Sequence, residues 1–355
     1  MPGTGIRTVA ELAGVSIGTV SKILNPGSSA NIRVSAETRE KVLAAADRLG
    51  YRPSYGAKLL RGESTRTIGF AVTLPGDHTD TYLSNYTFRL LNGIGREASR
   101  RHYQVLLIQG EDYRYYMDVK RIDALVLIGF PLDSNPLADQ MRGLFEHFNA
   151  RNYPYVVINN QLPGVTAAGI GVNNRSGMRQ VAELIRRKGY ESAGFVGELT
   201  PNPQRHHIER VRCLREFLAG SGCTFDDARI LNGCGNGVPE VPRVGRYSHA
   251  DGQAGLRYLL DNKLLPRCIV CGNDIATGLL KAARAQKLHI PEELAVIGFD
   301  DNENAEYLEP ALTTIRQPLE EFGRLAVSHL LDKINDPART IQMTIEPELI
   351  ERSTT

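Results

Sequence analysis

The sequence predicts a small, N-terminal all-α helix-turn-helix headpiece followed by an α/β core of two parallel-sheet subdomains. Three observations carry this reading. Residues 8–25, TVAELAGVSIGTVSKILN, hold two short helical patterns that meet at Ala13-Gly14-Val15-Ser16. From residue 66 onward, apolar strand-like runs alternate with amphipathic helical patterns. Charge is divided along the chain: residues 1–66 carry ten Lys or Arg against five Asp or Glu, net +5, and the rest sums to −3. A basic head on a slightly acidic body fits a polyanion-binding module joined to a sensor.

The first helical pattern sets Val9, Leu12 and Ala13 on one face. The second sets Val20, Ile23 and Leu24 at i, i+3, i+4, a spacing that core packing accounts for. Its opposite face shows Ile17, Gly18, Ser21, Lys22 and Asn25. Two helices joined by such a Gly-containing turn place the second in the DNA major groove, with its N-terminal residues against base edges. A loop rich in turn formers spans 25–34. A third helix follows, with Ser35 as its N-cap, Glu37 in its first turn, Val42, Leu43, Ala46 and Leu49 inward, and Gly50 as its stop. The stretch Tyr55-Gly56-Ala57-Lys58-Leu59-Leu60-Arg61-Gly62 is helical in pattern but too short to hold alone in water. It reads as a plain linker or as a helix that forms only when docked.

In the core, strands are expected at 67–72, 104–108, 124–129, 155–159, 192–197, 268–272 and 294–300. Helices are expected at 87–101, 176–188, 208–219, 250–261 and 275–286. Near-continuous apolar strands separated by helices mean parallel sheet covered on both faces. So long a region exceeds one sheet, hence two subdomains. Ligands bind at the carboxyl ends of such strands, which puts a site in the cleft between the subdomains.

Composition narrows the classes. With 42% hydrophobic and 23% charged residues the chain is of ordinary soluble type. No run approaches the roughly 18 apolar residues of a membrane span, and MPGTGIRTVAEL lacks the apolar stretch of a secretory signal. A cytoplasmic protein with no membrane partner is expected. Cys213, Cys223, Cys234, Cys268 and Cys271 are odd in number and form no disulfide framework. Cys268-Ile-Val-Cys271 sits in an apolar strand, where residues i and i+3 point to opposite faces. His206-His207 lacks partners at ligand spacing. Neither a metal site nor a cofactor is expected. No G-x-S-x-G elbow, phosphate-binding Walker loop or Gly-rich dinucleotide fingerprint is present, which argues against an enzyme.

Four segments carry a resemblance: VAELAGVSIGTVSKILN, VSAETREKVLAAADRLGYRPS, IPEELAVIGFDDNENAEYLEPALTTIRQP and PELIERST. On these, from about residue 6 to 353, the chain resembles the lactose-repressor (LacI/GalR) family of bacterial transcription regulators. The resemblance implies a DNA-binding headpiece over 1–53, a hinge helix or linker over 54–65, and an effector-binding core over 66–355. The core would fold like the type I periplasmic sugar-binding proteins. Its N-subdomain is expected at about 66–161 and 292–320, its C-subdomain at about 162–291 and 321–355. The implied partners are a pseudo-palindromic operator DNA, a second copy of the chain, and a small effector, by default a neutral or weakly charged sugar.

Carried over by position, Ile17, Gly18, Thr19 and Lys22 face bases and nearby phosphates, with Lys22 suited to guanine O6 and N7. Thr8, Ser16, Ser21 and Asn25 join them, the serines and Asn25 as phosphate contacts. Gly18 is a departure, because it has no side chain with which to read a base. Leu60 takes the place of the leucine that wedges into the minor groove, and Ala57 and Lys58 line the same surface. Gly56 costs the hinge about 1 kcal/mol relative to Ala. In the core, Asp300 corresponds to the effector-binding aspartate, Arg210 to the arginine that grips the effector, and Tyr247 to the aromatic that stacks on it. Asn273, Asn159, Tyr86 and Gln317 fill further cleft positions. Asn159 stands where the family commonly has aspartate, and LPGDHTDTYLSNYT after the first core strand is long, so effector identity does not transfer.

The expected mechanism is a dimer with two headpieces in successive major grooves and two Leu60 side chains in the central minor groove. Effector closes the cleft and shifts how the N-subdomains meet, an equilibrium shift of either sign. The absence of a leucine-heptad tail after Glu351 favours a dimer over a tetramer. The rival readings are a sugar-binding transport protein and a sugar-acting enzyme. Asp300-Asp301, adjacent in sequence, would diverge rather than face one substrate.

Overall fold

Two serines open helices in the headpiece. Ser16 Oγ accepts from the Thr19 backbone N–H at 3.1 Å and starts α2 (Ile17–Leu24). Ser35 Oγ accepts from Thr38 N–H at 3.2 Å and starts α3 (Ala36–Arg48). Each satisfies an amide that the helix itself cannot. α1 (Ile6–Ala13) ends at Gly14, whose φ of 65° gives the left-handed turn that only glycine adopts without strain. Val9, Ala10, Val20, Ile23, Val42, Ala45 and Ala46 form the core of the three helices. Leu12 and Leu43, expected inside, are exposed, and Ala10 and Ala45 are buried instead. The buried faces of α1 and α3 are rotated toward their small residues, which let the helices approach closely.

The computed structural model describes residues 5–24, 34–51, 64–72, 85–109, 113–128, 136–159, 168–197, 205–231, 249–339 and 342–355. The first core sheet contains β1 (Thr67–Val72), β2 (Gln104–Gln109), β3 (Ala124–Ile128), β4 (Tyr155–Ile158), β5 (Gly169–Val172) and β11 (Gln342–Ile345). They run parallel in the order β11-β5-β4-β3-β1-β2. α4 (Asn85–Arg100), α5 (Tyr113–Asp118), α6 (Pro136–Ala150) and α11 (Leu319–Asn335) belong to this half. The second sheet runs β12 (Glu348–Ile350), β10 (Thr313–Arg316), β9 (Ala295–Asp300), β8 (Cys268–Cys271), β6 (Ala193–Val196) and β7 (Ile230–Leu231), with only β12 antiparallel. Its helices are α7 (Asn174–Arg187), α8 (Arg205–Leu218), α9 (His249–Asp261) and α10 (Asn273–Ala285).

The subdomain boundaries differ from those expected. β9 and β10, within 292–320, lie in the second sheet. β5, within 162–291, and β11, within 321–355, lie in the first. α11 packs on α4 of the first half, so closely that a Cβ on Gly93 would come within 2.0 Å of the Glu320 carbonyl oxygen. The chain therefore crosses between the sheets three times, at Asn173, at Gln317-Pro318 and at Glu346-Pro347. The physical reason is that β9 reads as one apolar run acceptable to either sheet, while β5, β10 and β11 are short and too rich in Gly, Thr and polar residues to read as strands at all. Among the described residues, no helix is long and apolar enough to cross a membrane.

Candidate functional site

The carboxyl ends of β4, β9 and β10 bring together side chains far apart in sequence. Asp300 closes β9 with φ 105°, a backbone state rare outside glycine. Its Oδ1 accepts a hydrogen bond from Gln317 Nε2. Gln317 Oε1 in turn accepts from Asn159 Nδ2 at 3.1 Å, and the same Asn159 amide donates to the Tyr86 hydroxyl. Asn159 Oδ1 accepts from Val172 N–H at 2.9 Å, which fixes the amide's orientation. Four side chains thus form one polar chain from α4, past β4 and the second crossover, to β9. Gln317, 2% exposed, is its buried middle.

Arg210 enters from α8 and is 6% exposed. Its guanidinium lies 3.4 Å from the centroid of the Phe299 ring, a cation–π arrangement. Its Nε donates to Asn174 Oδ1 at 2.9 Å, and Asn174 Nδ2 donates to Glu209 Oε2 at 2.8 Å. Burial lowers the Arg210 pKa to about 10, opposed by Asp300, Glu209 and Tyr86. Burial likewise pushes the Asp300 carboxyl up to about 6, opposed first by Arg210 and then by the Gln317 hydrogen bond. Asp274 adds to the rise, and Arg89 opposes it. A carboxylate and a guanidinium held this way offer acceptors beside a planar fork of donors.

Asn273 starts α10, just past β8, and is 2% exposed. Its Oδ1 accepts from Thr314 Oγ1 at 2.7 Å, and its Nδ2 donates to Asn302 Oδ1 at 3.2 Å. Both ends of this amide are engaged by the protein, and Gly298 leaves it room: a Cβ there would meet Asn273 Oδ1 at 2.3 Å. Tyr247 lies outside the described residues, as do Asn25, Ala57, Lys58 and Leu60.

Sequence reasoning missed several neighbours. Arg89 Nη1 donates to the Asp301 carbonyl at 3.2 Å and so ties α4 to the end of β9. The Asp301 carboxylate is held by Arg316 Nε at 2.6 Å and Arg352 Nη1 at 2.7 Å. Two residues before Glu209, His207 is buried against Phe195, with ring centroids 5.7 Å apart. No hydrogen-bond partner of its Nδ1 is present among the described residues. Burial lowers its pKa to about 3 and holds His206, beside it at 4.3 Å between centroids, well below the usual histidine range. The doubled histidine was visible in the sequence, but only its packing makes it notable. Among the described residues no group of His, Cys, Asp and Glu is arranged to hold a metal ion.

In the headpiece, Thr8, Ser16, Ile17 and Gly18 are exposed, and Thr19, Ser21 and Lys22 are half-buried. Ile17, at 42% exposure, is a large apolar side chain left to solvent at the start of α2. A Cβ on Gly18 would meet only Ser16 Oγ, at 3.6 Å. Glycine is therefore not required there by the headpiece's own packing.

A family model for bacterial regulatory proteins of the lacI family matches residues 5–54. A model for the periplasmic binding protein-like domain matches residues 182–355. The HTH-type transcriptional regulator AscG of Escherichia coli (strain K12) is 28% identical, covering 98% of this chain and 97% of that one. The HTH-type transcriptional repressor PurR of Serratia proteamaculans (strain 568) is 29% identical over 98% of this chain and 95% of its own. Among solved structures, that of transcriptional regulator CelR in complex with cellobiose is 25% identical. It aligns with a TM-score of 0.67 over 99% of this chain and 100% of that one. The lac repressor dimer bound to operator and the anti-inducer ONPF is 22% identical, with a TM-score of 0.76 over 99% and 98% of the two chains, and shares the fold.

Proposed function

Because the chain belongs to the lacI family of bacterial regulatory proteins, and so is a DNA-binding transcriptional regulator, we propose that it works as a cytoplasmic homodimeric repressor whose hold on operator DNA is set by a carbohydrate in the core cleft. The observation that carries the effector reading is the pairing of buried Arg210 with the polar chain Tyr86–Asn159–Gln317–Asp300 at the strand ends. Sugars bind in such clefts through planar polar groups, which Asn159, Gln317, Asp300 and Arg210 supply, Arg210 backed by the buried Phe299 ring. Cellobiose is bound by CelR and ONPG by the lac repressor in structures of this fold. Asn273 acts behind the site and holds β10 against the loop after β9.

In the headpiece, Ser16, Ser21 and the start of α2 take phosphates, Ile17, Thr19 and Lys22 face base edges, and Thr8 of α1 supports them. The effector competes for hydrogen bonds that Gln317 and Asn159 now make with each other. Ligand binding therefore changes how the two halves are tied, and the change in DNA affinity equals the effector's differential affinity for the two arrangements. No catalytic step is assigned to the cleft.

The test is a gel-shift against DNA upstream of the protein's own gene and its neighbours, with sugars first selected by thermal shift. Sequence-specific binding that a sugar alters is expected. Binding indifferent to sequence overturns the repressor reading, and consumption of the bound sugar overturns the non-enzyme reading.

A further inference from the structure

The end of the first sheet opposite the cleft is strongly basic. β1, β2, β3 and β4 are parallel, so all four begin on one edge. The turns that lead into them each carry one left-handed residue: Arg66 before β1, His102 before β2, Lys120 before β3 and Asn152 before β4, with φ between 49° and 60°. Around these turns Arg66, Arg100, Arg101, Lys120, Arg121 and Arg151 are all exposed. Among the described residues on this edge, the carboxylates of Glu97, Asp118 and Asp123 are each engaged locally. Glu97 lies beneath Arg100 and Arg101 at 2.6 and 3.0 Å. Asp118 takes His147 Nε2 at 3.2 Å and the Tyr153 hydroxyl at 3.0 Å. Asp123 takes the Ser64 hydroxyl and the Thr65 and Arg66 backbone amides at 2.6 to 2.9 Å. Farther along the edge, below β5 and β11, charge is balanced, with Lys333 and Arg339 against Asp332 and Asp336.

The same edge receives the chain from the headpiece. The Asp123 carboxylate clamps residues 64–66, where the core begins. Only residues 52–63 separate that clamp from Tyr51, the last described residue of the headpiece. Even fully extended, such a tether spans only roughly 45 Å. A headpiece seated on DNA therefore keeps this edge, where the tether enters the core, within reach of the duplex.

We propose that the N-terminal edge of the first sheet is a second DNA-contacting surface, at which Lys120, Arg121 and Arg151, with Arg66 and Arg100, hold phosphates without reading sequence. The inference rests on the DNA-binding reading above. Its chemistry is that of phosphate neutralisation: each phosphate met by Lys or Arg releases counterions, so affinity falls with salt by about 0.9 log unit per log unit for each contact. The surface adds affinity and steering, and it leaves specificity to α2.

The test uses the full-length chain and a random-sequence duplex of about four helical turns, with affinity measured across a sodium chloride series. The edge variant combines Lys120→Gln, Arg121→Gln and Arg151→Gln. A control combines Lys281→Gln, Arg284→Gln and Lys287→Gln, three exposed cations of α10 and its C-terminal turn, at the corresponding edge of the second sheet. Both variants lose the same charge. The edge variant should lower the salt slope by about one to three and weaken low-salt binding, while the control keeps the wild-type slope. A single Lys120→Glu, at an exposed turn, should lower the slope by about one and gives the same answer should the triple variant fold poorly. Equal slopes in wild type and edge variant, or equal losses in edge and control variants, overturn the proposal while the regulator reading stands. A wild-type chain that binds no duplex at all overturns both.

Discussion

Asn159 Nδ2 donates to Gln317 Oε1 at 3.1 Å and so joins the end of β4 to the crossover that follows β10. Asn159→Asp would replace a double donor with an acceptor beside Gln317. If the Gln317 amide turned over to donate to the new carboxylate, Asp300 would lose its donor instead. One carboxylate is left short in either case. Urea unfolding at neutral pH should show a loss of about 1–3 kcal/mol, and the Asp300 titration should move further up because two carboxylates then share the site.

Asp300, raised to about 6, makes stability fall as pH rises. Between the ordinary carboxyl range and pH 6 the folded chain holds a proton that the unfolded chain has released, so each increment of pH favours unfolding. Above pH 6 both states are ionised and the cost is constant. Asp300→Asn should remove this falling segment and raise stability above pH 6, as read from denaturation midpoints at a series of pH values.

His207 acts with the opposite sign over an overlapping range. Its folded pKa of about 3 lies below the ordinary histidine value. As pH falls below about 6.5 the unfolded chain takes up a proton that the folded chain refuses, so stability is lost steadily on the way to pH 3. His207→Phe should flatten the acid side of the profile. His206, also held low by burial, adds to the same acid loss, so Asp300 offsets only one of the two histidines. Asp300→Asn alone should steepen the rise of stability with pH, and His207→Phe alone should reduce it.

The start of α2 offers two substitutions of opposite sign within three residues. Ser16→Ala removes the acceptor of Thr19 N–H and should cost about 1 kcal/mol. Gly18→Ala places a Cβ in ordinary contact with Ser16 Oγ, at 3.6 Å, in the first turn of α2 and should stabilise the headpiece by roughly 0.5 kcal/mol. Circular dichroism melts check both.

The headpiece was legible because its signals are local. Ser35 lies three residues from the amide it caps, and Val20 and Ile23 lie one turn apart in the same small core. Asp300 and Arg210 were legible through resemblance, but their settings were not. Arg210 rests on Phe299 and Asn174, partners 89 and 36 positions away, and no periodicity reports that. Strands β5, β10 and β11 went unread for a related reason. GIGV, TTIR and QMTI are short and rich in Gly, Thr and polar residues, and they become strands because a neighbouring strand supplies their hydrogen bonds. Without them the subdomain boundaries could not be placed.

Two of the three crossovers are joined to each other directly. Asn173 donates its backbone N–H to Ile345 O at 2.9 Å and its Nδ2 to Glu346 Oε1 at 2.7 Å, so the first and third are laced together. Gln317, in the second, is held from both sides by Asn159 and Asp300. Two peptide strands fastened side by side, with a third whose Gln317 is pinned on both flanks, resist sliding and favour a single bending direction. What a ligand in the cleft can transmit is therefore close to one number, the angle between the leaves.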